Sequence, residues 1–235
     1  MRRSKKNTSF TAIALIAMAA FSILPIQAKA QASPPPPPGA AAYSQSNVVQ
    51  GTVARYLMNP DGEVDGLLLG DGTQVNFPPH MSNDLVTVVK PNDSVSIQGF
   101  RSYGAAVVKA DVITNTRSGQ SVVDHPPAWS RIPPSPWSRK EMSAEGRIQA
   151  LLYGPAGDVH GVLLQDGTEV IIPPPAQYQL PADLLKVDQP INAVGYGTQN
   201  QFGRSMEATG IGAPGQAMTS LFAPGAPGGL PLPPR

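Results

Sequence analysis

The chain has 235 residues with no cysteine, 17 basic and 16 acidic side chains, and a formal net charge of +1. The missing cysteine excludes disulfide staples, thiolate chemistry and Cys-ligated metal, so each domain must be held by its own core. The length accommodates two small domains plus linkers, and the near-zero charge gives no bulk attraction to phosphate backbones or anionic lipid.

Residues 1–30 read as an export signal. Arg2, Arg3, Lys5 and Lys6 form a basic start, Thr11 to Leu24 is apolar, and Ala28-Lys29-Ala30 offers a small-x-small cleavage site. The mature chain is expected to begin near Gln31. The competing reading is an uncleaved anchor. It is opposed by Pro25, which ends the apolar run short of the about 20 residues that span a bilayer. Arg2-Arg3 suggests a twin-arginine signal, but Ser4-Lys5-Lys6 lacks the apolar residues expected after the pair, so the general secretory route is favoured. The expected location is the periplasm or the medium, with no membrane span after cleavage. Arg2, Arg3, Lys5, Lys6 and Lys29 leave with the signal, so twelve basic residues face sixteen acidic ones and the mature net charge is −4.

Residues 31–45 hold five consecutive prolines, Pro34 to Pro38, a stiff spacer with no capacity to form a core. The first folded unit is expected over 46–120. Val49 to Leu57 alternates apolar and polar residues as a strand does. Asn59-Pro60-Asp61-Gly62 is a turn, Val64 to Leu69 a second strand, and Thr73 to Phe77 a third. Asp71-Gly72 between them supplies the positive φ of a tight hairpin. Gly51 and Gly66 fall inside strand patterns, where glycine marks a bulge or bend. Pro78-Pro79 ends the third strand. Ser82 to Val89 predicts a short helix with polar residues available for capping. Ser94 to Phe100 and Ala105 to Thr114 predict strands four and five.

A Pro/Trp linker follows over 121–141. The second unit, 142–212, repeats the first. Gly146 to Pro174 aligns without a gap on Gly51 to Pro79 at an offset of 95, with roughly half the positions identical. The matches include Pro60/Pro155, Gly62/Gly157, Gly66/Gly161, Asp71-Gly72-Thr73/Asp166-Gly167-Thr168 and Pro78-Pro79/Pro173-Pro174. Pro181 to Val187 stands where the first unit has its helix. Ile191 to Tyr196 and Ser205 to Ile211 predict strands four and five. Residues 213–235, rich in Pro, Gly and Ala, read as a disordered tail.

Three strands, a short helix and two more strands in about 70 residues, with a glycine-bearing bent first strand, is the order of an OB-fold. The runner-up, an SH3-like small barrel, lacks the helix after strand three. The fold class is therefore all-β with one short helix per unit, as two tandem five-stranded OB-fold-like barrels joined by a Pro-rich linker. With its signal, Gly51 and Gly146 in strand one, and the Asp-Gly hairpins, the chain resembles tandem OB-fold proteins among small exported bacterial proteins of poorly defined function. The resemblance implies binding of oligonucleotides, oligosaccharides or proteins through the face of strands two and three and the loops between strands one–two and four–five. It implies no catalytic residues.

The residues themselves show little chemistry. Asp61-Gly-Glu63-Val-Asp65 superficially suggests a calcium loop, but the position needing a bidentate carboxylate is Gly72. His80, His125 and His160 are scattered, without ligand spacing. No catalytic triad, nucleotide-binding or nucleophile-elbow pattern occurs. No cofactor, no metal and no enzymatic activity are expected.

The four–five loops stand out. Phe100-Arg101-Ser102-Tyr103-Gly104 and Tyr196 to Arg204 combine aromatics, polar groups and an arginine beside glycines. Candidate ligand-binding residues are Arg55, Arg101, Tyr103, Tyr196, Gln199, Asn200, Phe202 and Arg204, able to stack on a ring and hydrogen-bond its edges. The competing reading puts Phe100 and Tyr196 in the core. The strand-three face carries Gln74 and Asn76 in one unit and Glu169 and Ile171 in the other, without the basic and aromatic platform a nucleic acid needs. Trp129 and Trp137 lie in the linker, either docked on the barrels or part of a polyproline segment that binds a partner. The expectation is a monomeric, non-enzymatic binding protein of the cell envelope, engaging an envelope protein or glycan. The alternative is an extracytoplasmic single-stranded nucleic-acid binder using the first unit.

Overall fold

The computed structural model describes residues 43–125, 139–174, 176, 180, 181 and 183–221. The signal, the proline spacer, Trp129 and Trp137 lie outside the described residues. Twelve strands, one α-helix and a 3-10 helix over Pro79–Met81 are present among those described. β1 (Tyr43–Met58), β2 (Val64–Leu69), β3 (Gln74–Asn76), β4 (Ser94–Ser102) and β5 (Val107–Asn115) build the first barrel, with β6 (Ser121–Val123) added outside β5. The order β3-β2-β1-β4-β5 closes through a parallel pairing of β3 with β5, Gln74 opposite Val107. β7 (Lys140–Tyr153), β8 (Val159–Leu164), β9 (Thr168–Ile171), β10 (Pro190–Asn200) and β11 (Gly203–Gly212) repeat this topology. β9 pairs parallel with β11, and β12 (Thr219–Ser220) is added at its edge. The molecule thus contains two closed five-stranded OB-like barrels, and closure leaves such short strands few open edges.

The first strand of each barrel is long because it serves two partners. β1 pairs with β4 up to Thr52 and with β2 from Val53, so the strand bends just after Gly51. The duplicated strand does the same around Gly146 and Arg147. Each Asp-Gly hairpin is locked identically. Thr73 donates its backbone N–H and its hydroxyl to the two Asp71 oxygens at 2.9 and 3.0 Å, and Thr168 does so to Asp166 at 2.8 and 2.9 Å. Asx turns of this kind explain why the Asp-Gly-Thr triplet survived duplication.

The two cores are separate. Val53, Leu67, Leu69, Val75, Ile97, Val108 and Ile113 fill the first, and Ile148, Val162, Leu164, Val170, Ile191, Met206 and Ile211 the second. α1 (Ser82–Val88) caps the end of the first barrel, burying Leu85. It is tied to β2 by the Val64 N–H, which donates to Ser82 Oγ at 2.9 Å. In the second barrel, a helix over 181–187 is not formed: residues 183–188 are turns and bends, with Leu184 buried in the core and Leu185 packed against it. Pro181 and the two-residue polar break at Asp188-Gln189 leave too short a run to sustain helical hydrogen bonding. Four boundaries also move outward, two of them at the starts of β1 at Tyr43 and β7 at Lys140. Residues 121–123 add a strand to the first barrel, and 213–221 are an ordered turn, edge strand and buried Leu221, not part of a tail. No helix among the described residues is long and apolar enough to cross a membrane.

Candidate functional site

The two barrels belong to one compact unit, and they meet through the surfaces that the duplication made alike. Gln74 and Glu169 are duplicates, as are Met58 and Tyr153. The Tyr153 N–H donates to Gln74 Oε1 at 2.9 Å. The Met58 N–H donates to both Glu169 oxygens at 3.1 and 3.0 Å. Each third strand therefore accepts the first-strand amide of the other barrel, and the seam has approximate two-fold symmetry. Leu57, Leu152 and Leu163 form a buried cluster of their own across it, joined by Leu68, Ala150 and Ile171.

The symmetry is broken at one position, and the break is compensated. The Gln74 amide donates to Leu151 O at 2.6 Å. Glu169 makes no such bond to Tyr56 O, the duplicate acceptor. Arg55 supplies it, donating Nε to Tyr56 O at 3.3 Å and Nη2 to Gly167 O at 2.9 Å, with Glu169 Oε1 3.9 Å away. Asn76 adds a one-sided bond, Nδ2 to Tyr153 O at 2.8 Å.

The turns and hairpins dock reciprocally as well. The Thr198 hydroxyl donates to Pro60 O at 2.9 Å, and Asn200 Nδ2 to Gly62 O at 2.8 Å. Phe202 meets Tyr56 edge to face with centroids 5.7 Å apart. On the other side the Gly157 turn faces Ser102. A Cβ at Gly157 would lie 2.4 Å from Ser102 Oγ, and one at Gly62 would lie 2.9 Å from Thr198 Cγ2. Both glycines have positive φ, +88° and +92°, so the turn and the close approach each require glycine. Arg139, at the end of the linker, joins the barrels again. Its Nε and Nη2 hold Asp61 at 2.7 and 2.9 Å, and its Nη1 holds Glu207 at 2.6 Å.

The predicted ligand-binding residues are thereby distributed. Arg55, Asn200 and Phe202 belong to the seam and are engaged by the other barrel, not displayed for a ligand. Arg204 braces the second barrel, donating to Ser143 O at 2.6 Å and reaching Thr168 Oγ1 at 3.5 Å. Tyr196 is half-buried on β10, and Gln199 is exposed. Arg101 and Tyr103 are exposed at the β4–β5 hairpin, Tyr103 at 83%. The structure does not bring the eight into one site.

What the seam does create is a cleft of about 620 Å³. Its walls are pairs of duplicates: Leu57 with Leu152, Pro60 with Pro155, and Phe77 with Ile172, with Pro79 and Pro174 at the ends of the third strands. The lining is mostly apolar. Its polar groups differ between the copies: Asp65 stands opposite in sequence to His160, Gln74 to Glu169, and Asn76 to Ile171, with Asp158 and Lys109 beside them. Burial pushes the Glu169 carboxyl up to about 8; the Met58 amide and Arg55 oppose this, and Asp65 adds to it. Burial likewise lifts Asp65 to about 7, against a hydrogen bond from its own amide and with help from Glu63. It lowers His160, against Asp158 and a hydrogen bond to the Tyr153 backbone. The buried Nδ1 of His160 has no hydrogen-bond partner. No group of three metal-ligating side chains occurs among the described residues.

No protein-family model matches the chain, and no curated protein matches it. Among solved structures it is similar to a deletion mutant of the single-stranded DNA binding protein from Thermus aquaticus. The identity is 14%, covering 79% of this chain and 99% of that one, with a TM-score of 0.23. The barrel assignment rests on the strand pairings and not on that likeness.

Sequence reasoning noted Asp65, Gln74, Glu169 and His160 but gave them no role. The signal was present in the repeat. Where two copies agree in turns and core, a polar residue that changes between copies on the same strand face marks a surface shaped by what it now touches.

Proposed function

We propose that this chain is an exported, non-enzymatic binding protein of the cell envelope whose two barrels hold a ligand in the cleft they share. One observation carries the reading. The reciprocal seam preforms a concave, mainly apolar site at a domain interface with a few polar groups inside, in the size range of ligand pockets. Export is supported by the basic start, apolar run and Ala28-Lys29-Ala30 site. Part of the surface through which OB-folds grip oligonucleotides, strands two and three and the one–two and four–five loops, is here engaged by the other barrel, while Arg101 and Tyr103 on the first four–five hairpin stay exposed.

Native mass spectrometry of the full chain with a small-fragment library tests the cleft. Adducts should form and should be lost in Ala156→Trp, which fills the cleft from an exposed turn. Adducts that ignore Ala156→Trp, or none at all, remove the reading. Salt-sensitive retention on an oligonucleotide column, abolished by Arg101→Ala, would install single-strand binding by the first barrel in its place. Intact mass of protein recovered from the periplasm or medium should begin near Gln31.

A further inference from the structure

We infer that the seam cleft selects a small organic cation, an amine carried on an apolar body, and that Asp65 is the group that receives it. This rests on the proposed binding role of the cleft and names its ligand class. Asp65 lies on β2, within the cleft and away from the seam's hydrogen bonds. The charged or titratable groups around it are Glu63 on the turn before its strand, Lys109 on β5, Asp158 and His160 from the second barrel, and Glu169 on β9 with Arg55 behind it. Glu169 is occupied: it accepts the Met58 amide and has Arg55 close by. Among the described residues no basic side chain forms an ion pair with Asp65.

A carboxylate held among apolar walls without a counter-ion loses solvation, of which its own backbone amide returns only a part. An ammonium placed against it would restore that interaction as a charge-assisted hydrogen bond. An anion would meet three acidic groups, those of Asp65, Asp158 and Glu169, with Lys109 the single basic side chain in the lining. The orphan Nδ1 of His160, Asp65's counterpart in the other copy, is a second mark of an unfilled polar position in the lining of the cleft. As burial keeps this imidazole neutral, it can accept a further ammonium proton without adding charge. The apolar body of the ligand would lie along Pro60, Phe77, Pro79 and Pro155.

Three probes that share one ring separate the possibilities: benzylamine, benzyl alcohol and benzoate, titrated calorimetrically into the full chain. Benzylamine should bind saturably and more tightly than the other two by about tenfold or more, the factor that a charged hydrogen bond carries. Its affinity should rise as pH increases through about 7. Repeated at pH 6.5 in buffers of different ionisation heat, the titration should report proton release. Asp65→Asn should remove the preference for the amine and the proton release; an unchanged circular dichroism spectrum and a cooperative melt show that the variant is folded. Benzoate binding as well as benzylamine, an amine preference that survives Asp65→Asn, or no binding by any probe would overturn the inference. Benzyl alcohol bound equally well and blocked by Ala156→Trp would overturn it while leaving the proposed binding role standing.

Discussion

The two barrels share a topology and a first strand that bends at the same place, yet they differ where they touch. The first keeps a helix over its end and neutral Gln74 and Asn76 on its third strand. The second has turns in place of the helix and carries Glu169 and Ile171. What stayed constant after duplication is the backbone turns and the apolar part of the seam: Asp-Gly-Thr hairpins, the glycine turns and the leucine cluster. What changed is the polar character of a shared wall. A duplicated pair whose copies face each other can remain complementary while its cleft becomes chemically two-sided, and Arg55 is the adjustment that made the Gln-to-Glu difference tolerable.

Breaking the shared leucine cluster should have the largest effect. Leu163→Ala removes a fully buried side chain from the seam and should cost about 2–5 kcal/mol. Denaturant unfolding should then separate into two transitions, one per barrel. A single transition with unchanged midpoint would mean that the barrels are not coupled through this cluster.

The charge difference predicts an unusual pH response. The folded value of Glu169 is raised, from an ordinary 4.5 to about 8, so the native state holds its proton more tightly than the unfolded chain. The stability it contributes is fully present below about pH 4.5 and is lost as pH rises through about 8, at up to about 1.4 kcal/mol per pH unit within that window. Asp65 acts in the same direction up to about 7. Melting temperature should therefore fall from pH 5 to pH 8.5. Glu169→Gln should flatten that slope, because the amide oxygen still accepts from Met58 and the amide can donate to Tyr56 O as Gln74 does to Leu151 O. A slope unchanged in the variant would place the titration elsewhere.

Arg139 sharpens the comparison from outside the cleft. It ties Asp61 of one barrel to Glu207 of the other with little exposure of its own side chain. Arg139→Ala should cost about 1.5–3 kcal/mol, the range for hydrogen bonds to charged groups, measurable by urea unfolding. The smallest effect belongs to the hairpin of the first barrel. Arg101→Ala and Tyr103→Ser alter exposed side chains and should each shift stability by less than about 0.5 kcal/mol. A larger loss in thermal melts would give that hairpin a structural role.

Much of the fold was legible because its signals are local. Asn59-Pro60-Asp61-Gly62, Asp71-Gly72 and the alternation of Val49 to Leu57 each report one turn or strand, and the repeat supplies each signal twice. The missing second helix shows the limit. Asp183, Leu184, Leu185 and Lys186 are adequate helix formers, but Pro181 and the turn at Asp188, which has φ +66°, leave no room to propagate. The site was less legible because it is made between barrels. Phe202 and Asn200 were recognised as binding residues by composition, and they do bind, but to Tyr56 and Gly62. Arg139 gave no signal in the linker, since its two carboxylate partners come from segments 78 and 68 residues away.

The unequal pairing of Gln74 and Glu169 also dictates which barrels can associate. Two first barrels would bring together two Arg55 guanidiniums with no carboxylate to neutralise them. Two second barrels would bury two Glu169 carboxylates with no guanidinium between them. Unlike halves complement each other best, so if the chain ever opened and met another copy, exchange would run head-to-tail.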